Sequence, residues 1–403
     1  MQVLLMGLFW TSAFLIVYHH AIYPLILRWW AKRHPLPEIE DCSATLYRTT
    51  DNNELPSITI IIPAYNEAEW IADKIRNCAS LDYPRDKLSV VIINDGSTDD
   101  TAAIAESTIQ EAICSDTLFT IVNHKDNKGK ICRLNESLPV VDSAITCISD
   151  VSALISIDAL KLAATHFEDS KVGVVNSTYQ LLDQQERGES LYWRYQNQLK
   201  YSESTLGSTI GAHGALYFIR TGLFEALPFN TINDDFIIPM NVVRAGHQAV
   251  YEPNMNAIEM EPTEAAQDFK RRLRISAGNM QQLLVLLPLF SPQYKGTALT
   301  FFSGKGLRVL TPYLMLICLV TSAILATSST LFLGLLVIQG SIYFTAAASV
   351  LVPVLQSVTA IRALTYLVVG HTANLIGGLR YLIGLENGAW KRTPQQENHH
   401  EKG

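Results

Sequence analysis

No GxGxxG follows the first apolar strand of this 403-residue chain, and no GxxxxGK[ST] occurs anywhere in it. Dinucleotide and P-loop sites need those glycines to bring backbone N–H groups onto phosphates, so neither site type is expected here. Basic residues are in the minority, 31 Lys and Arg against 38 Asp and Glu, which argues against a nucleic-acid partner. Six cysteines (42, 78, 114, 132, 147, 318) form no CxxC pair, a usage that suits reduced thiols in a cytosolic domain. Internal repeats and low-complexity segments are absent.

Three stretches lack charge altogether: residues 3–27, 309–361 and 363–379. A membrane span needs ~20 apolar residues. The first stretch therefore fits one helix, and the long one fits two, with "ATSST" (326–330) as their turn. A cleaved signal peptide would want a basic leader and a short apolar core. This segment has neither, so residues 1–33 read as a transmembrane anchor. Arg28, Lys32 and Arg33 follow the apolar run and place the middle of the chain in the cytoplasm by the positive-inside rule. Three C-terminal spans would put "WKRT" (390–393) outside, against that rule, so the number of C-terminal crossings stays open. His371 and Asn374, inside the last apolar stretch, would be costly facing lipid and are expected to face the bundle.

Residues 34–56 are polar with prolines and read as a linker. From Ser57, strands and helices alternate. "ITIII" ends at Pro63, "LSVVII" at Asn94, "LFTIV" at Asn123 and "AITCIS" at Asp150. Apolar strands alternating with helices predict a mostly parallel sheet covered on both faces. Ligands of such sheets sit off the carboxyl ends of the strands. The first, second and fourth strands end on "PAYNE", "NDGSTDD" and "SD". Three polar ends at one edge describe a ligand site. Several carboxylates there suit the reading of a base through its N–H groups and the holding of Mg²⁺ or Mn²⁺ on a diphosphate. Further on, "TEAAQDFKRRLRISAGNMQQLLVLLPLF" (263–290) is a basic helix becoming apolar, which suits the inner membrane surface.

The ordered series "PAYNE" (63–67), "NDGSTD" (94–99), "NKGK" (127–130), "SDVS" (149–152), "GAHGALYFIR" (211–220), "NDDF" (233–236) and "RRLRI" (271–275) resembles the membrane-bound family 2 glycosyltransferases. That group includes cellulose, chitin, hyaluronan and poly-N-acetylglucosamine synthases. The resemblance covers about residues 57–290. It implies an α/β GT-A fold (a Rossmann-like, mostly parallel sheet) in a cytoplasmic domain, 57–262. Basic interfacial helices (263–305), C-terminal transmembrane helices (306–385) and a tail (386–403) would follow. The implied activity is inverting transfer from a nucleotide sugar, usually a UDP-sugar, to a glycan or lipid-linked acceptor in cell-surface polysaccharide synthesis. The implied place is the inner (plasma) membrane, in a multi-pass topology, with other synthase or export subunits as further partners.

Carried over by position, Tyr65, Glu67 and Asp95 would hold the base and ribose, and Lys130 would lie near the diphosphate. Asp150 would bind the divalent metal, Mg²⁺ or Mn²⁺. Asp235 would be the general base, with Asp234 beside it on the substrate. Arg271 and Arg274 would brace the leaving diphosphate. The chemistry asks for such groups independently: one carboxylate behind the acceptor hydroxyl and cations on the departing diphosphate. Two positions depart from the family pattern. Ser152 stands where the Asp-x-Asp metal pair has its second acid, and Ile275 stands where the (Q/R)xxRW motif has Trp. Ser152 is expected to touch a metal-bound water at most, and Ile275 weakens the case for processive polymerisation. Plainer readings stand beside these. Ser97, Thr98 and Asp99 suit a helix cap, Asp234-Asp235 an N-cap pair, and residues 270–274 membrane anchoring. His213 reads as structural or acceptor-side. The rival to an active enzyme is a GT-A-shaped synthase subunit with impaired metal chemistry.

Overall fold

The computed structural model describes residues 1–36, 55–182, 187–261 and 265–386. Most of the linker, the tail with "WKRT", and Cys42 lie outside the described residues. The chain opens with α1 (Gln2–Val17), which passes through a π-helical stretch, Tyr18–Ile22, into α2 (Tyr23–Arg33). The alternating region holds β1 (Ile58–Ala64), α3 (Ile71–Ala79), β2 (Leu88–Asn94), α4 (Thr101–Thr108), β3 (Leu118–Asn123), α5 (Lys130–Ser137) and β4 (Ile145–Ile148). It continues through β5 (Ala153–Ile155), α6 (Ala159–His166), β6 (Val172–Leu181), α7 (Arg187–Leu206), β7 (Tyr217–Arg220), α8 (Asp234–Arg244) and β8 (Gln248–Glu259). Then come α9 (Ala265–Val285), α10 (Gly296–Thr300), a second π-helical stretch (Phe301–Gly306), α11 (Leu307–Leu325), α12 (Thr330–Leu351) and α13 (Thr359–Leu382).

Among the described residues, eight strands form one sheet in the order β3-β2-β1-β4-β7-β6-β8-β5. β1 to β4 run parallel, while β7 runs antiparallel to both β4 and β6, and β5 antiparallel to β8. The expected mostly parallel sheet is present, with two reversed strands that the alternation did not disclose. β1 is an interior strand, flanked by β2 and β4, and "ITIII" offers β-branched side chains to both faces. Ile58, Ile60 and Ile62 pack under α3 and α6, and Ile61 joins Ile93, Leu134 and Ile237 on the other face. Each such burial contributes ~1.5–3 kcal/mol, and Ile60→Ala would cost ~2–5 kcal/mol. β3 differs from the buried strands: it lies at one sheet edge, and Leu118 is 63% exposed.

Pro63 locates the crevice. β4 pairs with β1 only from Ile58 to Ile61, and Pro63 lies beyond that ladder. A proline has no N–H to donate, so it is tolerated in this central strand only where one neighbour has ended. The gap that opens between β1 and β4 faces the carboxyl ends of both.

Among the described residues, three helices are long and apolar enough to cross a membrane: Gln2–Arg33, Gly296–Leu325 and Thr330–Leu351. The break between the last two falls within the expected turn. α13 lies along α9, and its glycines permit the close approach. A Cβ at Gly377 would stand 2.6 Å from the Leu273 carbonyl, and one at Gly378 would stand 2.6 Å from the Tyr313 hydroxyl. Small residues at such crossings let helix backbones touch. His371 and Asn374 face the bundle as expected: His371 Nε2 is 3.1 Å from His20 Nε2, and Asn374 Oδ1 accepts from Asn279 Nδ2 at 3.3 Å.

Candidate active site

The polar ends of β1 and β2 are fastened to each other. Asn66 sits at φ 55°, and its N–H donates to Ser97 Oγ at 3.0 Å while its Oδ1 accepts the Thr98 N–H at 2.8 Å. Glu67 N–H donates to Thr101 Oγ1 at 2.8 Å, and Ala68 N–H to Asp99 Oδ2 at 3.2 Å. Asp99 Oδ1 also accepts the Thr101 N–H at 3.1 Å, so this carboxylate serves the start of α4 as well. Tyr65 and Glu67, expected at the base and ribose, are half-buried on this joined pair of loops.

Asp95 is buried, and its carboxylate is closed over the next loop. Oδ1 accepts the Lys128 N–H at 3.0 Å and Arg133 Nε at 2.5 Å, and Oδ2 accepts the Gly129 N–H at 2.7 Å. In the structure Asp95 therefore braces the segment that carries Lys130. Gly96 is required here: at φ +69° its missing Cβ would stand 2.7 Å from the Asp126 carbonyl carbon.

Lys130, the first residue of α5, reaches the acids. Its Nζ lies 2.9 Å from Asp150 Oδ1 and 3.2 Å from Asp234 Oδ2. Burial alone would lower this ammonium, but Asp150 and Asp234 outweigh it and raise it above the ordinary lysine range. Asp234 and Asp235 open α8, where the N-terminal dipole favours negative charge. Burial, then the neighbouring Asp234, pushes the Asp235 carboxyl up to about 6. Gly214 passes between the carboxylates; a Cβ there would stand 2.9 Å from Asp150 Oδ2 and 3.7 Å from Asp235 Oδ2. Asp150, Asp234, Asp235 and Lys130 thus form one cluster at the crevice.

Three features bear on a divalent metal. The Asp150 side chain is 40% exposed, and the Gly214 cradle leaves Oδ2 room to meet a ligand. The Tyr217 hydroxyl, buried beside the same acids, has no hydrogen-bond partner. Yet no three His, Cys, Asp or Glu side chains converge as a ready cage among the described residues. A metal fits only as an ion held by Asp150 and by phosphate oxygens brought with the substrate. Ser152, expected to touch a metal-bound water at most, has a second partner. Its hydroxyl bonds the Glu259 carboxylate, because β8 brings Glu259 opposite Ala153.

Behind Asp150 lies a lysine that sequence reasoning missed. Lys74, fully buried, donates to Ser149 Oγ at 2.6 Å and to the Ala153 carbonyl at 2.5 Å. Ser149 Oγ in turn donates to the Ala215 carbonyl at 2.6 Å, tying the Asp150 turn to the Gly214 segment. Arg133 was missed as well. Both sit among apolar residues on one helix face, Lys74 with Ile71, Ile75 and Cys78, and Arg133 with Ile131 and Leu134. A lone cation on an apolar stripe was the available signal.

Arg271 and Arg274 share α9. Burial, then Arg271, lowers the Arg274 guanidinium, and Asp235, Asp234 and Asp150 act against that, which sets Arg274 within electrostatic reach of the acids. Arg271 is exposed and acts on His213. His213 stacks on Tyr179 with centroids 3.8 Å apart and accepts the Ala215 N–H on Nδ1. Burial lowers it to about 3, so it is a neutral structural ring. Ile275 is 37% exposed on the same helix.

Comparison with known proteins identifies the family. The family model described as glycosyltransferase like family 2 matches residues 56–278, more than half of the chain. The poly-beta-1,6-N-acetyl-D-glucosamine synthase of Staphylococcus aureus (strain COL) is 25% identical over 240 residues, covering 58% of this chain and 57% of that one. The probable glycosyltransferase YdaM of Bacillus subtilis (strain 168) is 24% identical over 250 residues, 59% of this chain and 58% of that one. The chain thus spans under three fifths of the length of these curated relatives. Among solved structures, the mannosyltransferase PcManGT of Pyrobaculum calidifontis, in complex with GDP-Man and Mn²⁺, superposes with a TM-score of 0.68 at 24% identity. That likeness covers 93% of this chain and 99% of that one, and it shows a shared GT-A fold. The chain belongs to glycosyltransferase family 2.

Proposed function

We propose that the protein transfers a sugar, with inversion, from a nucleoside diphosphate sugar to an acceptor at the membrane surface. The observation that carries this reading is the placement of Asp235 across Gly214 from Asp150, with Lys130 bridging Asp150 and Asp234. Asp235 takes the proton from the acceptor hydroxyl as its oxygen attacks the anomeric carbon, and its raised pKa suits a base working near neutrality. The diphosphate leaves towards Lys130 and Arg274, whose charges offset the negative charge that develops on it. A divalent ion held by Asp150 would supply further charge neutralisation on the diphosphate.

A UDP-sugar remains the expected donor. GDP-mannose is the other to test, because PcManGT was solved with it. Ile275 in place of an indole offers no flat ring face to a sugar, which favours short additions over a long extruded chain. Three crossings would leave the catalytic domain and α13 on one side of the membrane, which is compatible with the positive-inside rule. The direct test is turnover of UDP-N-acetylglucosamine and GDP-mannose, with Mn²⁺ or Mg²⁺, by membranes containing the full chain. Nucleotide release joined to sugar incorporation is the expected result.

One observation favours the second reading, a catalytically impaired subunit: Ser152, in place of a second acid, adds no carboxylate beside Asp150, and its hydroxyl bonds Glu259. Metal-independent binding of UDP and GDP with no turnover of either sugar nucleotide would establish it.

A further inference from the structure

Two buried polar atoms in the acid cluster lack a hydrogen bond among the described residues, and they are complementary. One is the Tyr217 hydroxyl, a donor; the other is Asp234 Oδ2, an acceptor. Tyr217 is 0% exposed, and an unmade hydrogen bond at such a site costs more than a made one returns. Lys130 Nζ stands 3.2 Å from Asp234 Oδ2, close enough for an ion pair but outside hydrogen-bonding geometry. Its better contact is with Asp150 Oδ1, at 2.9 Å.

The fold brings the tyrosine to these acids. β4 and β7 pair from Ile145 with Arg220 to Ile148 with Tyr217, so Tyr217 is the last rung of the ladder before β4 runs out towards Asp150. Its side chain belongs to one core cluster with Ile131 and Leu134 of α5 and with Ile237 and Ile238 of α8. Lys130 begins α5, and Asp234 begins α8. The ring therefore packs among residues of the two helices whose first residues make the ion pair. Burial, then Asp234, Asp235 and Asp150, raises the Tyr217 hydroxyl well above the ordinary tyrosine range. It keeps its proton and meets an acid as a donor.

Donor binding changes the demand on Lys130. A diphosphate brings several negative oxygens to the crevice, and the ammonium that turns to them turns away from Asp234. Asp234 Oδ2 is then a buried carboxylate oxygen without a partner, beside a hydroxyl without one. A hydrogen bond between the two satisfies both at once. The exchange bears on the base, because Asp235 follows Asp234 in the first turn of α8.

We propose that Tyr217 is a positioning residue whose hydroxyl takes over Asp234 when the donor's diphosphate draws Lys130 away, so that the start of α8 and its base stay in place. The proposal rests on the transfer reading above for the diphosphate, and on the two unsatisfied atoms for the tyrosine.

The test uses the full chain in detergent micelles and two measurements, the melting temperature and the affinity for UDP or GDP with Mn²⁺. In the free protein the hydroxyl holds nothing, so Tyr217→Phe is expected to melt no lower than wild type. That variant should bind the Mn²⁺–nucleotide about tenfold more weakly, the scale of one hydrogen bond to a charged group. In an Asp234→Ala background the same substitution should leave the affinity unchanged, because its partner is gone. Lys130→Met vacates Asp234 without any nucleotide, and there Tyr217→Phe should lower the melting temperature by roughly 2–4 °C. A tyrosine that only fills the core would show the opposite pattern: a lower melting temperature in the otherwise wild-type chain and unaltered affinity. That pattern overturns the proposal, as does a tenfold loss that persists with Asp234→Ala. If nucleotide binds and Tyr217→Phe leaves its affinity untouched, the Tyr217 exchange falls and the transfer reading stands. If neither nucleotide binds the wild-type chain, the transfer reading falls, and the melting temperatures in the Lys130→Met background decide the contact between Tyr217 and Asp234. Should Lys130→Met fail to fold, the affinities decide alone.

Discussion

The backbone of Gly214 lies so close to Asp150 that a single added methyl would stand 2.9 Å from Asp150 Oδ2. Gly214→Ala should therefore displace the Asp150 carboxylate, the only movable group in the contact, and spare the fold. Titration of UDP or GDP with and without Mn²⁺ checks it. We expect metal-dependent binding to weaken about tenfold or more, the loss of roughly one charge-assisted contact. Metal-free binding and the melting temperature should change little. Unaltered metal dependence would mean that Asp150 does not hold the ion.

Lys74→Met tests whether the Asp150 turn is held from behind. Methionine fills a similar volume without a charge, and exchanging a buried charge for a packed apolar group is often neutral or stabilising. Stability within ~1 kcal/mol of wild type is the expectation. Metal-dependent nucleotide affinity should nonetheless fall, because Ser149 and the Ala153 carbonyl lose their shared donor. A purely structural lysine would show the reverse pattern: lost stability and unchanged affinity.

Asp235→Asn keeps the shape and removes the base. Turnover should fall ~10²–10⁴-fold while donor binding persists. In the wild type the base must be unprotonated, so kcat/KM should rise as pH increases through about 6. That limb should vanish from the residual rate of the variant. A variant turning over near the wild-type rate would remove Asp235 from the mechanism.

Glu203→Gln concerns stability alone. Burial raises this carboxyl to about 7, so the folded state binds a proton that the unfolded chain releases near pH 4.5. Stability is then highest at low pH and falls as pH climbs from the unfolded value to about 7. A glutamine carries no such penalty. The variant should gain up to about 3 kcal/mol over wild type at pH 8 and little at pH 4. Melting curves at both pH values check this, and an equal effect at each would sink it.

What the sequence disclosed and what it hid follow from locality. β1 and β2 were legible because β-branched runs are local, and Asp150 was legible because an acid ending a buried strand is out of place. Lys74 stayed hidden because its partners, Ser149 and Ala153, lie far along the chain and offer only a hydroxyl and a carbonyl. Ser152 could not be placed from its spacing, since its partner Glu259 arrives on the far strand β8.

The fastening of the β1 loop to the β2 loop has a kinetic side. The Asn66, Glu67 and Ala68 amides donate across to Ser97, Thr101 and Asp99, and the Thr98 amide donates back to Asn66. Each of these bonds joins the two loops, so the loops must part for the protons to be freed. They should exchange for deuterium as a single set, at one common opening rate, and slow together when a nucleotide closes over them. The floor of the crevice moves as one plate or not at all.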